Sequence, residues 1–553
     1  MTPRPSLGAG SRRGAWLRWL TIGLTTGLIC SVLFGCAVGA LPHVERVPAP
    51  RLIAPADAPL VTIARDIALE PGFSGVWPIP EASFALDARL AMIRSATTSL
   101  DLQSYLIADD STGRLILREL RDAARRGVRV RVLVDDLYTT DLDRLLLGLA
   151  ATPNAQVRLF NPFIAPRGSS MRRLLALAVH FKRLNHRMHN KLFIADGSVA
   201  VVGGRNVADE YFLRGASGNF IDFDLLITGA VMPQLSEWFD LYWNSPYVYA
   251  VDDVVRASGP PPPAPEALLA TFERVTANPF PLAPAPAPAP TAAPQPDLAF
   301  DLFGAPPFSV ALSNRRFQFL AAEASSYADS PDKIDPDNHS IAINDTLTHR
   351  YFNLLANAKA EVLLFSPYFV PDGDALDHIR QLRSEGIGVR VVTNSLASTD
   401  EPLVNIGSQG TQVELLKMGV ELFELSARRL KLDRSLRGLL GSSASRLHAK
   451  MAFLDRQTVL VGSMNLDPRS SSINTEVGVR VRSARLAEMT LDAFKVDDLA
   501  GAYRVTLRPD GKGVRWVSAN GDSQEEHDVA PETGLWQRIR LLLLSKFVPI
   551  DQL

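Results

Sequence analysis

Cysteine is nearly absent. Of 553 residues only Cys30 and Cys36 are cysteines, and both sit in an apolar N-terminal stretch. No disulfide framework and no thiolate metal site can therefore be built in the body of the chain. Net charge is also lacking: 58 Lys and Arg face 59 Asp and Glu, giving −1. That balance argues against a broadly basic nucleic-acid binder and leaves room only for a local basic cleft. Charged residues make up only 21% and apolar ones 46%. A chain so composed is not disordered, and its length corresponds to about three to four domain-equivalents.

Acidic residues are missing before Glu45, while Arg4, Arg12, Arg13 and Arg18 precede or enter an apolar run from Leu20 to Leu41. A basic flank, an apolar stretch and small residues after it read as an export signal or a single membrane anchor. Leu33-Phe34-Gly35-Cys36 resembles a bacterial lipobox, with Cys36 as the lipidation candidate and Phe34 where a small residue is usual. An uncleaved anchor is the alternative, and Ser11-Arg12-Arg13 resembles a twin-arginine signal. All three readings place the body in the bacterial cell envelope, membrane-associated, on the extracytoplasmic side.

The body repeats itself. Leu100–Ile107 alternates as a strand, Gly113–Arg126 follows as a helix stopped by Gly127, and Val128–Val134 is a second strand ending in Asp135-Asp136. The second half has strand Val362–Val370, helix Asp374–Glu385, stop Gly386 and strand Val389–Asn394. Such alternation predicts βαβ units with parallel pairing, and the repeat predicts two α/β domains facing each other. We expect a signal or anchor at 1–41, a linker at 42–72, an N-terminal domain at 73–256, a Pro/Ala-rich linker at 257–298, a connecting segment at 299–337, a C-terminal domain at 338–500 and an extension at 501–553. The Pro260–Pro296 stretch, with alternating Ala-Pro from Ala283 to Pro290, reads as extended and mobile.

Chemistry resides in a duplicated motif. His189-Asn190-Lys191 with Asp196, and His448-Ala449-Lys450 with Asp455, both fit H-x-K-x4-D. Gly203 and Gly462 each follow their histidine by 14 positions, and Asn206 and Asn465 each follow by 17. One match in a long chain is weak; two with equal offsets are not chance. In an extended segment His and Lys of H-x-K share a face. Two copies meeting across a pseudo-two-fold axis would put two His, two Lys and two Asn around one pocket. That set suits a phosphate: ammonium charge and amide donors hold oxygens, one imidazole attacks phosphorus, and the other protonates the leaving oxygen. The lysines supply the positive charge, so neither metal nor cofactor is called for. Asp224 and Glu476 are assigned as orienting acceptors for the imidazoles. Asp196 and Asp455 are read as caps that brace the strand ends rather than touch substrate.

On these residues the chain resembles the phospholipase D superfamily, from about Phe73 to Leu553. Thr393–Asp400, Gly462–Ser470, Tyr242-Trp243-Asn244-Ser245 and the tail Phe547-Val548-Pro549-Ile550 resemble the bacterial cardiolipin synthase C type. The resemblance implies two duplicated domains with one shared active site and a phosphatidyl-enzyme intermediate on histidine. It implies a phospholipid substrate, and a lipid alcohol such as the head-group hydroxyl of phosphatidylglycerol as acceptor. It makes His189 the nucleophile and His448 the general acid, with Asn206, Asn465 and Ser463 binding substrate. After Thr399-Asp400 the type commonly carries a His with aromatic and basic residues; here the run is Val404 to Gln412. The alternatives are a phospholipase D hydrolase with water as acceptor, and a nucleic-acid phosphodiesterase. The duplication and net charge weigh against the latter, so no nucleic acid is expected as partner. The oligomeric state is left open.

His186 reads as a surface residue or a second donor near His189, and Tyr105 and Tyr368 as pocket walls or interface packing. Arg428–Arg437 reads as a solvated loop or a head-group contact. Leu535–Leu544 is too short to span a bilayer and suits an interfacial helix or one packed on the body.

Overall fold

The computed structural model describes residues 48–163, 167, 170–216, 218–279, 299–335, 346–426, 428, 445–496, 499, 501–518 and 525–544. Cys36 and its apolar run, the Ala-Pro stretch, most of Arg428–Arg437 and the tail Phe547–Ile550 lie outside the described residues. Among the described residues no helix is long and apolar enough to cross a membrane.

The first half supplies β1 (Ser74–Ile79), β2 (Ser99–Ser104), β3 (Arg129–Asp135), β4 (Ala155–Phe160), β5 (Leu192–Ala195), β6 (Val199–Gly203), β7 (Asn219–Ile221), β8 (Asp224–Gly229) and β9 (Val248–Ala250). The second supplies β10 (Leu320–Ala328), β11 (Glu361–Phe365), β12 (Gly388–Asn394), β13 (Glu421–Leu425), β14 (Ser445–Leu447), β15 (Met451–Leu454), β16 (Thr458–Gly462), β17 (Val477–Arg482), β18 (Ala502–Leu507), β19 (Val514–Ser518) and β20 (Glu526–His527). Neighbours in the first half run β1-β8-β6-β5-β2-β3-β4-β9, with β2-β3-β4 parallel. The second repeats the order as β10-β17-β16-β15-β11-β12-β13-β18, with β11-β12-β13 parallel. β1 and β10 are equivalent and pair antiparallel, joining the halves into one sheet.

Strand alternation sorts the core into three layers. Leu192 and Ile194 of β5, with Met451 and Phe453 of β15, enter a core shared by both halves. Phe193 and Ala195 instead face the first half's helices, and Ala452 and Leu454 the second's. The period-2 pattern thus buries each central strand on both faces. This mixed α/β architecture of two duplicated units is the one the repeat predicts.

Several stretches read as connection carry structure instead. Leu60 and Ile63, within the expected linker 42–72, are fully buried. Helix Pro265–Thr276, inside the expected Pro/Ala-rich linker, buries Phe272 against helix Asp143–Ala150. Its amphipathic pattern begins only after the Pro260–Pro263 run, which masks it in composition. The expected connecting segment supplies β10, the strand that joins the sheets. The second sheet continues past residue 500 through β18 to β20. Helix Leu535–Leu544 lies against helix Pro402–Lys417 and leaves Trp536 exposed.

Candidate active site

Each H-x-K segment lies immediately before a central strand, β5 or β15, and docks on the opposite half. The His189 N–H donates to Thr475 O at 2.9 Å, and the His448 N–H to Ile221 O at 2.7 Å. β7 and β14 pair in parallel just ahead of that second contact. The residue after each acceptor is a carboxylate, Glu476 or Asp222. His189 Nδ1 lies 3.0 Å from both oxygens of Glu476, and His448 Nδ1 lies 2.6 Å from Asp222 Oδ2. Both imidazoles therefore turn Nε2 toward one cavity of about 520 Å³, whose walls come from both halves.

The partner of His448 is Asp222, not Asp224, which corrects the expectation. Asp224 is held by Arg89 at 2.9 Å and Arg205 at 3.2 Å. Strand register explains the difference. Gly203 stands opposite Asp224, and Gly462 opposite Gly478. Asp224 is therefore the counterpart of Gly478, and Asp222 that of Glu476. Asp222 and Asp224 have the same strand parity, and the preceding loop is longer in the first half. Alternation cannot separate them; the register of β6 against β8 does.

The two half-sites differ. A Cβ on Gly204 would come within 2.2 Å of Asp222 Oδ1. The equivalent Ser463 donates its hydroxyl to Glu476 Oε2 at 2.5 Å, and Ser470 donates to Oε1 at 2.7 Å. Ser463 is fully buried and, like Lys191 and Lys450, is not among the side chains that line the cavity; its hydroxyl orients Glu476. Asn465 and Asn206 do line the cavity, although Asn206 Nδ2 donates to the Tyr211 hydroxyl at 2.8 Å.

Lys191 Nζ donates to His189 O at 2.9 Å and Lys450 Nζ to His448 O at 2.6 Å. Burial drives Lys191 down to about 7 and Lys450 to about 8, with Glu476 and Asp222 respectively opposing the shift. Burial also pushes Glu476 up to about 7, against Lys191 and the two serine hydroxyls. Burial works to raise Asp222, but His448, Lys450 and Arg205 overcome it and hold it at about 2. Burial and the two lysines push His189 well below the ordinary histidine range. Burial and Lys450 lower His448 against the pull of Asp222.

Asp196 and Asp455 sit in the turns after β5 and β15 with φ of 53° and 51°. Asp196 accepts from the N–H groups of Thr97, Thr98 and Ser99, and Asp455 from those of Lys359, Ala360 and Glu361. Both brace the start of a neighbouring strand. Tyr105 stands edge-on to His189 at 4.9 Å and Tyr211 to His448 at 5.0 Å. Tyr211 gave no sequence signal beyond being aromatic. Tyr368 is also in the wall and donates to Asp400. Asn405 is not: its amide donates to Asn394 O, and its neighbours Asp400, Glu401, Leu403 and Val404 face the cavity. His186 lies outside the wall, its Nδ1 2.8 Å from Lys182 O.

A family model described as "Cardiolipin synthase, PLD-like domain" matches residues 90–243 and 351–497, one match for each half. The chain belongs to the phospholipase D superfamily. Within it the chain is of the cardiolipin synthase C type: it is 32% identical to cardiolipin synthase C of Escherichia coli over 486 residues, covering 87% of this chain and 97% of the relative. It is 26% identical to a Staphylococcus aureus cardiolipin synthase over 427 residues, covering 77% of this chain and 67% of that one. A crystal structure of phosphatidylserine synthase from Haemophilus influenzae shares the fold, with TM-score 0.50 at 12% identity, over 78% of this chain and 87% of that one. The protein is a phospholipase D-type enzyme.

Proposed function

We propose that the protein makes cardiolipin by transferring a phosphatidyl group to the head-group hydroxyl of phosphatidylglycerol through a phosphohistidine. The observation that carries this reading is the crossed pairing of each histidine with the other half's carboxylate, which sets two Nε2 atoms on one cavity. The names of its relatives support a phospholipid substrate.

His189 is the nucleophile in this reading. Its depressed pKa leaves Nε2 unprotonated at neutral pH, and Glu476 holds the Nδ1 proton. Nε2 attacks phosphorus, a P–N bond forms, and the ester P–O bond breaks. The departing oxygen takes a proton from His448, whose cationic form the ionised Asp222 stabilises. The acceptor hydroxyl then enters, gives its proton back to His448, and attacks phosphorus as the P–N bond breaks. The lysine ammonium groups, beside the histidine carbonyls, supply positive charge for the phosphoryl oxygens. A lipid on Cys36 or an uncleaved N-terminal anchor would hold the body at a membrane of the cell envelope, on its extracytoplasmic side.

Purified protein is incubated with labelled phosphatidylglycerol, alone and mixed with phosphatidylethanolamine, and the lipids are separated. Cardiolipin is the expected product, and phosphatidic acid alone would make the enzyme a hydrolase. After a rapid quench, label on the protein should be acid-labile, alkali-stable and located at His189. Label on His448 would reverse the assigned order.

A further inference from the structure

Helix Ser170–Val179 has an apolar face that the fold leaves uncovered. Met171 is 66% exposed, Leu174 59%, Val179 57% and Phe181, just beyond the helix, 46%. On the opposite face Ala176 joins Phe163 and Leu184 in a small buried cluster. Arg173, stacked 4.3 Å over the Phe163 ring, donates to the Leu137 carbonyl. The helix is therefore held in place rather than loosely attached, and its outward apolar residues are a fixed surface. Contiguous exposed apolar residues of this kind mark an interaction site.

Two observations identify what covers it. Leu177 of the same helix and Leu184 just after it line the catalytic cavity, so the exposed patch is continuous with the cavity wall. Arg172 and Lys182 are the exposed charged side chains of residues 170–184, a stretch with no acidic residue, while Arg167 and Arg173 turn inward onto Asp136. An apolar stripe flanked by basic side chains suits an interface of anionic head-groups over acyl chains.

We propose that residues 171–181 dock on an anionic lipid bilayer and set the cavity mouth against it, so that a phospholipid enters head-first along Leu177. This rests on the phospholipid reading of the cavity.

The test uses the full chain with Met171, Leu174 and Val179 changed to serine (M171S/L174S/V179S), all three outside the catalytic set. On vesicles of phosphatidylglycerol and phosphatidylethanolamine, the lipid concentration for half-maximal turnover should rise about tenfold, from lost apolar burial. On the same lipids dispersed in detergent, turnover should be unchanged. In a second arm, hydrogen exchange of residues 170–184 is followed in the His448→Ala protein, where turnover does not alter the vesicles. These vesicles should slow exchange there, and neutral phosphatidylcholine vesicles should not. The readout is local, so attachment through the N-terminal apolar run does not mimic it. An equal loss in detergent, an unchanged vesicle profile, or absent protection would each overturn the docking surface. Protection without any lipid turnover would uphold docking and defeat the substrate reading instead.

Discussion

Glu476 holds Nδ1 of His189 at 3.0 Å across 287 residues of chain. Neither half alone has an oriented imidazole, because the mirror contact joins His448 to Asp222 across 226 residues. Duplication has thus made each half the other's positioning device.

The Asp222–His448 contact predicts that Asp222→Asn lowers kcat by about 10²–10⁴-fold, the usual range for losing a general acid–base function. The protein should stay folded. Asp224→Asn should act on stability, since it weakens a buried carboxylate between Arg89 and Arg205. Breaking such a group costs about 3–5 kcal/mol. Steady-state kinetics beside urea unfolding of both variants distinguishes the roles. A larger kinetic loss in Asp224→Asn would reverse them.

Turnover should follow a bell in pH. Its acid limb lies below the ordinary histidine range, because His189 must be unprotonated to attack and its pKa is depressed. Its alkaline limb begins where His448, also lowered, loses the proton it must give to the departing oxygen, and it steepens as Lys191 at about 7 and Lys450 at about 8 lose theirs. Lys450→Arg, which stays charged at all accessible pH, should lower the rate and remove the contribution near 8. A kcat/KM profile flat to pH 10 in the wild-type protein would contradict the lysine role.

Lys191→Met should abolish turnover and yet raise stability. With a folded pKa of about 7 against an ordinary value near 10.5, the lysine carries its full burial penalty below pH 7. Between 7 and 10.5 the unfolded chain binds the proton that the folded chain has lost, so stability rises with pH. The variant's higher midpoint should therefore be greatest near pH 6 and vanish above about 10.5. Thermal melts across this window measure it.

Asp196→Ala should destabilise by about 2–4 kcal/mol, since three backbone N–H groups lose their acceptor and residue 196 keeps a left-handed conformation. Asp196→Asn, which tolerates that conformation and retains one oxygen, should recover about half the loss. An alanine variant that melts like wild type would show the brace to be dispensable.

Much of this was legible in the chain. The strand and helix signals of both halves are local, and matched offsets from the two histidines announce the repeat. The bracing role of Asp196 and Asp455 also follows from position, at the end of a four-residue strand. The contact of Ser463 with Glu476 is not legible, because a serine beside a Gly-rich turn is equally suited to a ligand and to a neighbouring carboxylate. Helix Pro265–Thr276 was hidden by flanking proline.

The sequence by itself determined the two-fold plan, the leading βαβ strands of each half and the presence of two His-Lys pairs, because these depend on periodicity and spacing within a few tens of residues. Only the tertiary structure decided that the carboxylates cross between halves and that Asp222 rather than Asp224 meets His448. Both depend on sheet register and on the antiparallel union of β1 with β10. Residues more than two hundred positions apart meet by packing, and no local pattern encodes which of two same-face carboxylates the packing selects.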